Sequence, residues 1–320
     1  MAEDVLVVRR LCKKYGAALV ADHIDLRIER GQIYGLVGKN GAGKTTLLRM
    51  ITAQTRPLSG EIELFGATGK ALDRMRSRIG AIVETPSFYP FLTAYQNLEY
   101  YRRQRGLALK RCVEDTLQAV GLAETKSKKY KDFSLGMKQR LGLGLAIMGR
   151  PDLLLLDEPV NGLDPMGIIQ LRNILLRLNA EQNVTILISS HILSELANLA
   201  THYGFMDKGR MIQQVSAQEI SARCQECLEL EVDDVNRAAV ALERQLGCKD
   251  YEIFPENRIW VYAFQRDPVR VTKALTDGGV AITAIHTHGT DLEGYYTGLL
   301  ARTDAEGGEG NAQCGQGRMV

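Results

Sequence analysis

The stretch Gly38-Lys39-Asn40-Gly41-Ala42-Gly43-Lys44-Thr45 fits G-x-x-x-x-G-K-[ST] at every fixed position. Gly38, Gly41 and Gly43 let the backbone turn its N–H groups inward as an anion nest. A following helix N-terminus adds partial positive charge. In such a cradle Lys44 reaches β- and γ-phosphates, and the Thr45 hydroxyl ligates Mg²⁺. Further on, Asp157 and Glu158 follow four leucines, Leu153 to Leu156. The C-terminal end of a buried strand is where open α/β sheets place ligands. There Asp157 can hold Mg²⁺, and Glu158 can polarise an attacking water. These residues point to phosphate chemistry. On the glycine loop alone, small-molecule kinases, GTPases and motor ATPases all remain open.

Elements must hold these groups in place. Residues 32–38, QIYGLVG, read as a buried strand, and residues 44–54 read as the helix that follows it. Leu153 to Leu156 read as a strand covered on both faces. NVTILISSHILSEL, 183–196, reads as another buried strand ending in His191. Ser134 reads as the N-cap of a long amphipathic helix with Leu141, Leu145 and Met148 on one stripe.

The bulk composition sets limits on the class. The chain has 320 residues, 45% hydrophobic and 24% charged, enough for one large domain and one small one. Its 40 basic and 38 acidic residues leave a net charge of +2, which argues against a nucleic-acid partner. No apolar run approaches the roughly 18–20 residues of a spanning helix, and the N-terminus shows no signal-peptide core. Six scattered cysteines predict reduced thiols rather than a disulfide framework. Cys224 and Cys227 form a lone CxxC without the second pair a zinc site needs.

The order of motifs closely resembles the ATP-binding cassette (ABC) family over residues 4–215. It runs from the phosphate loop to Ser134-Leu135-Gly136-Met137-Lys138-Gln139-Arg140, then Leu-Leu-Leu-Leu-Asp157-Glu158-Pro159, Asn161-Gly162-Leu163-Asp164 and Ser189-Ser190-His191. The resemblance implies a P-loop NTPase cassette with a RecA-like core and a helical subdomain at about 86–150, acting as an ATPase on ATP and Mg²⁺. It implies that Tyr15 stacks on adenine and that Ser134 and Gly136 cap the γ-phosphate. Leu135 and Met137 depart from the family's commonest signature. Asp164 would couple two nucleotide sites, and His191 would contact the γ-phosphate and position the water. The implied nucleotide-binding set is Tyr15, Gly38, Asn40, Gly41, Gly43, Lys44, Thr45, Thr46, Ser134, Gly136 and Asp164. The implied catalytic set is Glu158, His191, Lys44 and Glu84, and the implied metal set is Thr45, Glu84 and Asp157. One set of motifs without an internal repeat implies a homodimer, because in this family the signature of one chain caps the nucleotide of the other.

At Glu84 the family usually has glutamine. This departure, with the following PSFYPFLTAYQNL, resembles the bacitracin-resistance and lantibiotic-immunity subgroup. That resemblance implies an exporter subunit, cytoplasmic and held at the inner membrane face by a separate permease. Phe88, Tyr89, Pro90 and Phe91 would then be exposed aromatics covered by a permease helix, or else pack the helical subdomain's own core. A soluble ABC ATPase not tied to transport is the alternative, although the long coiled-coil insertion or second cassette usual there is missing. A nucleotide sensor without turnover is disfavoured by the intact Glu158 and His191.

Residues 216–302 read as β-α-β-β-α-β plus a final helix, a small α+β domain with a regulatory or dimerising role. His286 and His288 alternate on one strand without partner ligands. Residues 303–320, rich in glycine and polar groups, predict a disordered tail.

Overall fold

A computed structural model describes residues 3–83, 87–125, 127–223, 227–264, 267–288, 292, 294–297, 299 and 300. Glu84, Cys224, much of the expected final helix and the 303–320 tail lie outside the described residues. Contacts divide the chain into two compact units, Met1–Ala217 and Gln218–Val320.

The first unit opens with two long strands, β1 (Asp4–Tyr15) and β2 (Ala18–Glu29). Then come β3 (Ile33–Val37), α1 (Lys44–Ile51), β4 (Ser59–Leu64), α2 (Leu72–Arg76) and β5 (Ile79–Ile82). Three helices follow: α3 (Ala94–Gln104), α4 (Cys112–Ala119) and α5 (Leu135–Ile147). The chain then returns through β6 (Leu153–Asp157), α6 (Pro165–Gln182), β7 (Thr185–Ser190), α7 (Leu193–Ala197), β8 (His202–Asp207) and β9 (Arg210–Ser216), with α8 (Ala217–Arg223) at the junction. Strands β2-β1-β4 form an antiparallel sheet, and β5-β6-β7-β3-β8-β9 form a six-stranded sheet. The latter is parallel from β5 to β8, and β9 adds an antiparallel edge. β3 and β7 are buried at every position, and β6 at all but Asp157, the pattern of strands covered on both faces. One apolar core joins both sheets through Leu6, Leu26, Leu47, Leu155 and Leu187.

Sequence and structure differ at two places here, and at a third, Phe88, the structure selects one of the two readings the sequence allowed. The helix expected over 44–54 stops at Ile51, where Thr52 Oγ1 donates to Leu48 O at 2.9 Å and Ala53 takes a left-handed backbone (φ 63°). α5 has no single apolar stripe, because Leu141 to Ile147 are all buried. It runs between the other inserted helices and strand β5, so close that a side-chain carbon on Gly80 would lie 2.3 Å from Ala146 O. Phe88 is buried among Tyr101 and Tyr130, with ring centroids 5.8 and 5.1 Å away. It therefore belongs to the helical region's own core, whereas Tyr89 and Phe91 beside it are exposed. Asn97, fully buried, fixes that loop: its Oδ1 accepts from Tyr89 N at 2.8 Å, and its Nδ2 donates to Thr93 O at 3.0 Å.

The second unit contains β10 (Cys227–Val232), α9 (Val235–Leu246), β11 (Tyr251–Phe254), β12 (Arg258–Val261), α10 (Pro268–Asp277) and β13 (Ile282–His288). Its sheet order is β11-β12-β10-β13, with every neighbour antiparallel. Leu228, Leu230, Ile259 and Val261 meet Leu242 of α9 and Leu275 of α10 in a separate core. Both helices are capped by aspartate: Asp234 accepts from Asn236 N and Arg237 N, and Asp267 accepts from Arg270 N. Cys12, Cys112, Cys227 and Cys248 are free thiols.

Candidate nucleotide site

β3 delivers the chain to Gly38 at the end of the central sheet. A side-chain carbon on Gly38 would lie 2.6 Å from Met206 O, so the loop approaches β8 more closely than any other residue allows. Gly43 is left-handed (φ 105°), and there a side-chain carbon would lie 2.7 Å from Val20 O. Helix α1 begins at the next residue, leaving its first N–H groups at the mouth of the loop. Thr45 and Thr46 stand half-buried on its first turn, and Asn40 is exposed in the loop.

Lys44 is only 5% exposed. Its ammonium donates to Gly38 O at 2.5 Å and to Lys39 O at 3.4 Å, and it stands 3.1 Å from Glu158 Oε1. That Glu158 oxygen is buried and has no well-angled hydrogen bond, so the Lys44 charge is what compensates it. The other oxygen, Oε2, meets His191 Nδ1 at 2.8 Å. Glu158 itself has a left-handed backbone, φ 46°, a conformation L-residues with side chains seldom adopt. Asp157, at the end of β6, accepts from Ser189 Oγ at 2.6 Å. Burial pushes the Glu195 carboxyl above its ordinary value, against the Ser190 hydroxyl that donates to it, and neighbouring Glu158 adds to the rise.

The fold thus brings Lys44, Asp157, Glu158 and His191 together from three segments of the chain. The glycine cradle and buried ammonium suit a polyphosphate. The hydroxyl of Thr45 and the carboxylate of Asp157 are hard oxygen donors that suit Mg²⁺. Other expected residues stand elsewhere. Tyr15 ends β1 half-exposed, with Lys13 Nζ 5.0 Å from its ring. Ser134 caps α5, its hydroxyl accepting from Met137 N at 3.3 Å. Asp164 caps α6 by accepting from Gly167 N at 3.1 Å. The start of α5 adjoins the Asp164 loop: a side-chain carbon on Gly136 would lie 3.7 Å from Leu163 Cδ2. Ser134 and Asp164 are bonded to their own helices, with no described bond to Lys44 or Glu158. Motif reading located Ser189 beside His191 but gave it no role, and its bond to Asp157 is what the sequence did not show. Its only signal was the alignment of two buried strands, which a linear pattern does not display.

A family profile described as "ABC transporter" matches residues 21–161. The chain is 40% identical over 299 residues to a bacitracin transport ATP-binding protein, BcrA, of Enterococcus faecalis, covering 93% of this chain and 97% of that one. It is 39% identical over 208 residues to a lantibiotic transport ATP-binding protein, SrtF, of Streptococcus pyogenes, covering 65% of this chain and 89% of that one. A solved ATP-binding subunit of an ABC transporter superposes with a TM-score of 0.60 at 29% identity, covering 68% of this chain and 92% of that one. The fold and the site define an ATP-binding cassette with ATPase chemistry. This chain belongs to the ABC transporter ATP-binding family.

Proposed function

We propose that this chain is the ATP-hydrolysing subunit of an exporter that confers resistance or immunity to peptide antibiotics, driving a separate membrane permease. The observation that carries the chemistry is Glu158, held between Lys44 at 3.1 Å and His191 at 2.8 Å at the end of β6. The peptide cargo is suggested by the bacitracin and lantibiotic names of relatives near 40% identity.

In this reading the glycine loop and Lys44 bind the triphosphate. Glu158 accepts a proton from water as the water oxygen bonds to the γ-phosphorus and the bridging bond to ADP breaks, leaving ADP and phosphate. His191 orients Glu158 and the water. Thr45 and Asp157 would hold Mg²⁺, which neutralises charge on the β- and γ-phosphates. Glu84 is proposed as a further carboxylate toward the metal on sequence pattern alone. Tyr15 would stack on adenine, and Ser134, Gly136 and Asp164 would act across a dimer of two copies. Among the described residues no helix is long and apolar enough to cross a membrane, so attachment to the inner face would come through the permease. Exposed Tyr89 and Phe91 on the helical subdomain offer it a docking surface.

Glu158→Gln tests the chemistry. Turnover should fall about 10²–10⁴-fold, the usual contribution of a general base, and ATP should convert monomer to dimer in equilibrium ultracentrifugation. A variant that hydrolyses normally, or stays monomeric at saturating ATP, would remove the reading. Coupling is tested by Tyr89→Ala with Phe91→Ala in a reconstituted transporter: basal hydrolysis should persist while permease stimulation is lost.

A further inference from the structure

The site contains a buried hydroxyl that takes no part in proton transfer. Ser189 lies on β7, fully buried, in register opposite Asp157 of β6. Its hydroxyl makes two bonds: Oγ donates to Asp157 Oδ1 at 2.6 Å and accepts from Glu158 N at 2.9 Å. The direction of both is forced. An ionised carboxylate only accepts and a backbone N–H only donates, so the single hydroxyl proton must point to Asp157. One oxygen atom therefore ties together consecutive carboxylate residues with different tasks. On one side it orients the Asp157 carboxylate. On the other it anchors the N–H of Glu158, whose left-handed backbone (φ 46°) aims that side chain at Lys44 and His191. An alanine here would leave the Glu158 N–H without its acceptor and the Asp157 carboxylate free to rotate.

We propose that Ser189 is a positioning residue for metal-dependent ATP hydrolysis, fixing Asp157 for the cation and Glu158 for the water through a single hydroxyl. The inference rests on the ATPase reading above. Ser189 acts through Asp157 and Glu158, so its effect is expected in the metal dependence and not in nucleotide binding as such.

The test uses the full-length chain and the variants Ser189→Ala and Ser189→Thr. A fluorescent ATP analogue is titrated in EDTA and again in Mg²⁺, and turnover is measured separately. In Ser189→Ala, affinity in EDTA should stay within about twofold of wild type. The gain in affinity on adding Mg²⁺ should shrink about tenfold, and kcat should fall about 10–100-fold, the range seen when a partner of a metal ligand is removed. Ser189→Thr keeps the hydroxyl on a β-branched residue suited to a strand, and should recover both quantities to within about threefold. The inference is overturned if Ser189→Ala leaves the Mg²⁺ gain and kcat unchanged. It is equally overturned if affinity in EDTA falls in parallel, or if threonine rescues nothing. Wild-type chain without Mg²⁺-dependent turnover would instead overturn the ATPase reading itself, so the two failures are told apart.

Discussion

The Lys44 ammonium is held by its own chain, by Gly38 O at 2.5 Å and by Glu158 Oε1 at 3.1 Å. A phosphate needing that ammonium must displace the Glu158 carboxylate, and the carboxylate's charge repels it. Glu158→Gln removes both obstacles. Its affinity for a fluorescent ADP in EDTA should therefore be about 3–10-fold tighter than wild type, or about 1 kcal/mol. ADP without metal keeps dimer closure and turnover out of the measurement, and an unchanged or weaker affinity would show that Glu158 does not compete with the nucleotide. The ion pair that motivates this was only half legible in the sequence. Gly38 to Thr45 announce a phosphate loop because its chemistry needs fixed spacing along the chain. Glu158 could be placed at a strand end by the leucines before it. That Glu158 lies 2.8 Å from His191, 33 residues on, depends on β6 lying beside β7. The task of Ser189 was hidden for the same reason: the Ser189-Ser190-His191 motif marks its position but not its register opposite Asp157.

Elements are held at the far end of the sheet by a polar clamp. Asp152, just before β6, accepts from Arg78 Nε at 2.8 Å and from Arg30 Nη1 at 3.3 Å, so it joins the starts of β5 and β6 to the end of β2. The Arg78 hydrogen bond, opposed by partial burial, holds its carboxyl below the usual 3.8. A carboxyl depressed by folding stabilises the fold above its unfolded value and loses that contribution as pH falls through its folded value. Asp152→Asn should therefore lower the thermal midpoint at pH 7. The deficit, of order 1 kcal/mol after allowing for screening of a side chain about one-third exposed, should narrow below pH 3.8. A deficit that is constant with pH would point to lost packing instead of charge. A second prediction concerns α5 and β5. Gly80→Ala would push a methyl to within 2.3 Å of Ala146 O, and it should cost about 1–3 kcal/mol in denaturant unfolding, the range for overpacked cores. The sequence read α5 as one-sided because Leu141, Leu145 and Met148 share a stripe. Gly144 between them makes room for Thr116 and Val120, whose side chains would lie 3.2 and 3.5 Å from a side-chain carbon there, a tertiary fact that periodicity does not carry.

At the scale of the whole chain, each of the two compact units has an apolar core of its own. One, around Leu47, Leu155 and Leu187, contains the floor of the nucleotide site. The other, around Leu228, Leu230, Ile259 and Leu275, contains none of the site residues. The sequence placed the change of character at 215/216 by the end of the cassette motifs, and contacts divide the chain after Ala217. What composition could not supply was which apolar residues share a core, because helices α9 and α10 reach the β10 sheet only through the antiparallel order β11-β12-β10-β13. Each core can cooperate within itself, so calorimetry of the full chain should resolve two transitions. Ligand that binds only the folded cassette stabilises it by mass action, about 2.7 kcal/mol at a hundredfold excess over Kd. Saturating ADP with Mg²⁺ should therefore raise one transition alone. Leu228→Ala, which empties a fully buried position in the second core, should lower the other by about 2–5 kcal/mol and leave the ADP-responsive one in place. A single transition that moves with both ligand and mutation would mean that the two cores unfold as one. The second domain would then act on ATP turnover through stability, and Leu228→Ala would weaken nucleotide binding from within the second core.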